Sequence, residues 1–524
     1  MKKTLSILLT AAIILALMAG CGSGGGQDSD VPTTMVIGTS QSCTTIDPAN
    51  GYDYWYYIRY GVGETLMKFR EDMTPEPWLA ESYPTVSDDH LTWTVTIRND
   101  ACFSDGTALT AQKAMECIRR QYDESGSAKN YFALKEMKAD GQVLTITTES
   151  PVPIMPYILA DPVFVIYDTT DLTDVKDKGT LGTGPFVFSE FDSVTRNCTV
   201  VRNENYWGGD VVLESIEFRH IPDASTLTMS LQNGDVDAAY SVTIEDIAKF
   251  EESSDYTVLT SASGRTTFGF MNMNEGHVLS DEVLRQAVIR IADRATYCTN
   301  LFYGQFVPGK TPLASSLPYG YDELIDINAY DPDGAAALLD AAGYVDKDGD
   351  TYRDMPDGSF LEIPIVMYQG RVEIPLIADA MMDAGRKIGL RFKIVGSDSS
   401  AAWNMLINGE YDILLMSISM ASSGDPENGL KSYFRSYSAD RPNYNASGYS
   451  NPEVDALLDE LSVEFDADRR IEIVKEIQQK MMDDSACIYF CYPMMNFVTK
   501  ANVTGVTSHT SDYYWISKDT GFTK

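Results

Sequence analysis

Apolar and polar residues alternate at period two along Leu91-Thr92-Trp93-Thr94-Val95-Thr96-Ile97-Arg98, which predicts a strand with one buried face. Asp105-Gly106 then marks a turn, and 111–122 changes to a helical rhythm. Further strands are predicted at 143–148, 186–189 and 198–202, so the first half reads as sheet-rich with mixed or antiparallel pairing. The second half has a different rhythm. Strands predicted at 363–368, 391–395 and 411–417 are separated by helical patterns over 374–388 and 401–408. Such alternation predicts βαβ units and a parallel sheet covered on both faces. Asp331-Pro332 and Asn451-Pro452 each set a capping side chain before a proline at the first helical position. After Asn451, the residues Val454, Leu457, Leu458 and Leu461 form one apolar stripe. The fold class is α/β, with an α/β lobe joined to a more sheet-rich body.

The N-terminus follows another pattern. Lys2 and Lys3 precede an apolar run from Leu5 to Met18, which is too short for the roughly 20 residues needed to span a bilayer. Small residues follow at Ala19-Gly20-Cys21, so 1–20 reads as an export signal. Met18-Ala19-Gly20-Cys21 resembles a lipobox, with Met18 where leucine is commoner, and the resemblance makes Cys21 the lipidated first residue of the mature chain. Residues 21–34, opening Cys21-Gly22-Ser23-Gly24-Gly25-Gly26, read as a flexible tether that hangs a folded body from the membrane.

The roughly 490 residues beyond the tether exceed what one hydrophobic core organises, so two or three lobes are expected. A net charge of −36, from 76 acidic and 40 basic residues, excludes a nucleic-acid partner, because phosphate binding needs clustered Lys and Arg. Seven of the eight cysteines remain after Cys21, scattered at 43, 102, 117, 198, 298, 487 and 491. That spacing is neither a disulfide framework nor a zinc site.

Ordered motifs carry a family resemblance. They are Ile46-Asp47-Pro48, Glu64-Thr65-Leu66, Pro77-Trp78-Leu79-Ala80-Glu81-Ser82, Phe103-Ser104-Asp105-Gly106, Gly182-Thr183-Gly184-Pro185-Phe186, Asn205-Tyr206-Trp207-Gly208-Gly209, Leu284-Arg285-Gln286-Ala287 and Gly448-Tyr449-Ser450-Asn451-Pro452. The chain resembles the bacterial extracellular solute-binding proteins of family 5, which serve peptide, nickel and related importers. The resemblance implies a two-lobed periplasmic-binding-protein-like fold in its large, three-domain form. A discontinuous lobe I is expected from 35–69, 182–275 and 489–524, an additional domain from 70–181, and an α/β lobe from 276–488. Ligand would lie between the main lobes of a monomer, which would hand it to a cognate ABC permease and ATPase complex.

Tyr52-Asp53-Tyr54-Trp55-Tyr56-Tyr57-Ile58-Arg59-Tyr60 holds six aromatics in nine residues. Ile58, Val62 and Leu66, spaced by four, predict the buried face of a helix. Because this stretch borders the cleft in the family, Tyr52, Tyr54 and Trp55 are candidate ligand-stacking groups, with core packing as the competing reading. A second candidate is the loop holding Met420, Ser422, Ser423 and Asp425, which follows a predicted parallel strand at the edge where open α/β sheets bind ligands. In peptide-binding relatives an aspartate here, two residues beyond an aromatic, pairs with the peptide's amino group. Those positions are Ser422 and Met420 in this chain, and a neutral hydroxyl supplies no counter-charge. Nickel-binding relatives carry an arginine where this chain has Asp161, which could instead hold a ligand cation; a surface or Asx-turn aspartate before Pro162 is the competing reading.

Asp346, Asp348, Asp350 and Asp354 are spaced like a calcium loop, although Thr351 stands at the glycine position and Asp357 at the twelfth. A solvated acidic turn is the better-supported reading, and no cofactor is expected. An enzyme is not indicated: histidines stand only at 90, 220, 277 and 509, with no His-x-x-x-His pair and no Gly-x-Ser-x-Gly elbow. Among ligands an oligopeptide or dipeptide-like solute leads. The alternatives are a metal chelate, an oligosaccharide, a cationic amine or opine-like solute, or a peptide sensed without import.

Overall fold

The computed structural model describes residues 31–369, 371–439 and 443–523. The expected leader, Cys21 and the tether up to residue 30 lie outside the described residues. Among the described residues no helix is long and apolar enough to cross a membrane.

One sheet of twelve strands runs through both lobes. Its axis is the strand Cys487–Lys500, whose first half pairs with Arg265–Met271 and Phe306–Pro308 and whose second half pairs with Tyr256–Ala262 and Ala238–Tyr240. From Ala238–Tyr240 the sheet continues through Thr34–Thr39, Ser215–His220, Cys198–Arg202 and Phe186–Phe191. On the other side Arg265–Met271 pairs antiparallel with Ile413–Ser419, which is followed by Ile363–Tyr368 and Phe392–Ser397, all three parallel to one another. The chain thus changes lobes at Ser263-Gly264 and again beside Pro493, whose carbonyl accepts the Ser263 N–H at 3.3 Å and the Ser263 hydroxyl. The expected boundary at 275/276 is corrected, because Arg265–Met271 takes its partner from the α/β lobe. The boundary at 488/489 likewise moves to the Pro493 crossing.

The βαβ rhythm of the second half is present. Helices Glu373–Lys387 and Ser399–Asn408 connect the parallel strands, with Ile374, Ile377, Ala378 and Met381 forming the buried stripe of the first. Asp398 caps the second by accepting from Ala401 N at 2.8 Å, and Gly409 ends it at φ 70°. Both Asx-Pro starts are caps: Asp331 accepts from Gly334 N, and Asn451 from Glu453 N and Val454 N. The additional domain is a four-stranded antiparallel sheet, Thr85–Val86, Thr92–Thr96, Val143–Thr148 and Leu134–Asp140, packed against helix Ala111–Glu124. Trp93 and Val95 supply the buried face that the period-two pattern predicted.

The helix expected through Ile58, Val62 and Leu66 is shorter than its spacing suggested. It covers Tyr54–Arg59 and stops before Gly61, at φ 66°. Val62 and Leu66 are buried as expected, but from irregular chain. The cause is a backbone-on-backbone contact. A Cβ on Gly182 would lie 1.9 Å from the Val62 carbonyl oxygen, and one on Gly184 would lie 2.3 Å from that of Gly61. The Gly182-Thr183-Gly184 motif therefore packs against the turn that ends the helix, and only glycine permits that approach.

Candidate ligand-binding cleft

A cavity of about 840 Å³ opens between the aromatic helix, the additional domain and the carboxyl ends of the parallel strands. All eight side chains expected there, Tyr52, Tyr54, Trp55, Asp161, Met420, Ser422, Ser423 and Asp425, lie on its wall. They differ in what they offer. Tyr52 is 64% exposed and its ring lies 5.2 Å from that of Trp55, which faces Tyr513 at 6.1 Å. Tyr54 is buried, with its hydroxyl 3.2 Å from Ser127 Oγ, so it supports the wall more than it covers a ligand. Met420 and Ser423 are also buried, whereas Ser422 is exposed and its carbonyl accepts the Tyr513 hydroxyl at 3.1 Å.

Asp425 is a correction to the expected ligand set, because its carboxylate is already occupied. Arg470 Nη2 reaches Asp425 Oδ2 at 2.8 Å and Glu427 Oε2 at 3.1 Å, while Lys431 holds Glu427 Oε1 at 2.6 Å. The other oxygen of Asp425 accepts Glu427 N at 2.9 Å. Two carboxylates and two cations make a neutral buried cluster that fixes the loop. Asp459, also on the wall, is paired with Arg435.

Asp161 stands apart from these. It is 2% exposed and caps the short helix Pro162–Phe164, accepting Val163 N at 2.9 Å and the Tyr131 hydroxyl at 2.6 Å. Among the described residues no cation pairs with it. Burial lifts its carboxyl to about 6, against the pull of those two donors. Asp161 thus makes the Asx turn and lies on the cavity wall, buried rather than at the surface. Tyr131, Phe132, Tyr433, Tyr444 and Tyr513 complete the wall and were not singled out in the sequence, since no local pattern separates them from core aromatics.

The acidic loop lies apart from the cavity. Asp346, Asp348 and Asp354 bring one oxygen each within 4.8 Å of one another, and they form the only such metal-capable group among the described residues. Asp350 is corrected out of that set, because Arg391 takes its carboxylate. Asp346 is turned onto the Gly349 and Thr351 amides, and Thr351 holds φ 78° where a calcium loop has glycine. The four histidines are dispersed; His277, for instance, sits against Asp412 at 3.1 Å with no nucleophile beside it.

The model of the bacterial extracellular solute-binding proteins, family 5, matches residues 74–441. The chain belongs to that family. It is 24% identical over 492 residues to the nickel-binding protein NikA of Staphylococcus aureus, covering 94% of this chain and 93% of that one. It is 25% identical over 526 residues to the glutathione-binding protein GsiB of Shigella flexneri, covering 98% and 97%. The crystal structure of a nickel ABC transporter protein from Bacillus halodurans superposes with a TM-score of 0.79 at 26% identity, covering 93% of this chain and all of that one. The chain therefore has the two-lobed fold of these proteins and is the substrate-binding component of an ABC importer, acting outside the cytoplasm with permease and ATPase partners. Family 5 is a family of binding proteins.

Proposed function

We propose that this protein captures a small amine-bearing organic solute, peptide-like in class, with the ligand's cation seated at Asp161 and its body stacked on Tyr52 and Trp55. One observation carries the reading: Asp161 is the carboxylate of the cavity wall that has hydrogen-bond donors but no cation. A buried carboxylate left in that state is costly alone and favourable once a positive charge joins it. The aromatic surroundings suit an organic ammonium, which gains from ring faces as well as from the counter-charge. The relatives named for nickel and glutathione show that ligand class varies within this fold, and Asp161 favours a cation over an anionic metal carrier. In this reading the mature protein is a monomer anchored through lipidated Cys21, and it requires no cofactor.

The test is titration of a dipeptide and amine panel into the mature chain, read by calorimetry and by the fluorescence of Trp55. Asp161→Asn is expected to weaken the best ligand by about 2 kcal/mol, roughly thirtyfold. Unchanged affinity in that variant rules out the cationic partner. Affinity is also expected to fall as pH drops through about 6, where Asp161 takes up its proton.

A further inference from the structure

The additional domain touches the α/β lobe beside the cavity, through rings from both sides. Phe465, in the link between helices Pro452–Leu461 and Ala467–Asp483, sets its ring 4.1 Å from that of His90 and 6.3 Å from that of Trp93. Both partners belong to one hairpin of the additional domain: Trp93 lies in Thr92–Thr96, and His90 stands in the turn before it. His90 holds φ 60°, in the left-handed region that favours glycine, yet a glycine there would leave Phe465 no ring to meet. The turn is braced around it, with Asp89 Oδ1 accepting Leu91 N at 3.1 Å and Ser87 O accepting His90 N at 2.8 Å.

A second contact lies on the loop after Ile413–Ser419. Gly424 holds φ 80°, and a Cβ there would sit 2.6 Å from the Met73 carbonyl oxygen and 2.9 Å from Tyr157 Cδ1, both within the 70–181 span of the additional domain. Each contact adjoins the cavity wall. Phe465 follows the wall residues Ser462 and Val463, and Gly424 sits between Ser423 and Asp425. The hairpin is also tied to the wall segment 150–154, since Leu91 O accepts Thr148 N at 2.9 Å.

The attachments of this domain to the two lobes differ in kind. To lobe I it is joined by directional bonds: Arg120 holds both oxygens of Asp47 at 2.8 and 2.9 Å, and Ser104 N donates to Gly182 O at 3.0 Å. To the α/β lobe, among the described residues, it makes ring and van der Waals contacts with no hydrogen bond or ion pair. Apolar contact is non-directional, so it parts and reforms without stranding polar groups. The domain therefore moves with lobe I and separates from the other lobe.

We propose that the additional domain is a clasp: it rides on lobe I and grips Phe465 of the opposite lobe through His90 and Trp93, so that closure of the cleft depends on it. The strength of this ring contact then sets how much of the population is closed. The clasp does not depend on what the ligand is, so its failure would leave the amine reading untouched.

Hydrogen exchange and small-angle scattering of the mature chain, stripped of ligand, test the clasp. The variants are Phe465→Ala and His90→Gly, the second of which keeps the left-handed backbone and removes only the ring. Phe465→Ala is expected to enlarge the radius of gyration and to speed exchange about three- to tenfold, the weight of an aromatic pair, in two segments. One is 88–93, under the ring; the other is 421–424, the loop docked on Met73 and Tyr157. His90→Gly should act in the same direction, and Phe465→Tyr should keep wild-type values. Joining His90→Cys to Phe465→Cys with a short bismaleimide should return both segments to wild-type exchange, which shows that the variants fold and that the contact held the lobes together. Faster exchange confined to 88–93 at an unchanged radius of gyration would overturn the clasp, because the rings would then pack only locally. So would a double-cysteine variant that does not cross-link, or a cross-linked protein in which 421–424 still exchanges fast.

Discussion

Asp161 and Asp425 show how two aspartates in the same cavity acquire opposite roles from their neighbours. Asp425 faces Arg470 and is structural; Asp161 faces Tyr131 and an amide, and it holds its charge against burial. The lifted carboxyl of Asp161, from 3.8 to about 6, has a defined sign for stability. Its folded-state pKa is raised, so the associated stability is fully present below the unfolded value and is lost as pH rises through about 6. Asp161→Asn should therefore raise the stability of the unliganded protein at pH 8 by up to about 3 kcal/mol, an advantage that shrinks toward pH 4 in urea unfolding. Arg470→Met should have the opposite effect. It strands Asp425 and Glu427 without their shared cation and is expected to cost about 3–5 kcal/mol at neutral pH by the same measurement.

Among the elements, the aromatic helix shows where sequence spacing misleads. Ile58, Val62 and Leu66 repeat every four residues and are all buried, yet the helix ends at Arg59 because Gly182 and Gly184 bring another segment onto the backbone after it. A periodic pattern reports burial, and it reports helix only if the backbone continues to turn. Gly182→Ala, with its Cβ driven into the Val62 carbonyl, should abolish the cooperative thermal transition or lower its midpoint by about 3 °C or more, about 3 kcal/mol or more. Gly396→Ala is the control: nothing lies within 4 Å of the added carbon, and its midpoint should stay within about 1 °C of the wild type.

For the whole molecule, the excess of acidic groups and two buried carboxyls act in one direction between pH 5 and 8. Glu64 is fully buried, with hydrogen bonds from Tyr206 and Trp207, and burial lifts it to about 7. Both Glu64 and Asp161 are raised, so stability from these groups is lost as pH climbs through 6 and 7, while self-repulsion of the −36 charge also falls on acidification. The midpoint of thermal unfolding should accordingly be higher at pH 5.5 than at pH 8, and Glu64→Gln combined with Asp161→Asn should flatten that slope. Addition of the physiological ligand should flatten the part due to Asp161 alone. A midpoint that rises between pH 5.5 and 8 would contradict this account.

Local pattern alone determined the α/β class, the βαβ order of the second half, the Asx-Pro helix caps and the aromatic stretch at Tyr52 to Trp55, because caps and periodicity depend on neighbours a few residues apart. The ordered motifs added the family and placed eight side chains on one cavity wall. Tertiary structure decided what each of those side chains has left to give. Asp425 could not be separated from Asp161 until Arg470 was placed, since ion pairing joins residues 45 positions apart. Whether a charge is compensated depends on every segment packed around it in three dimensions.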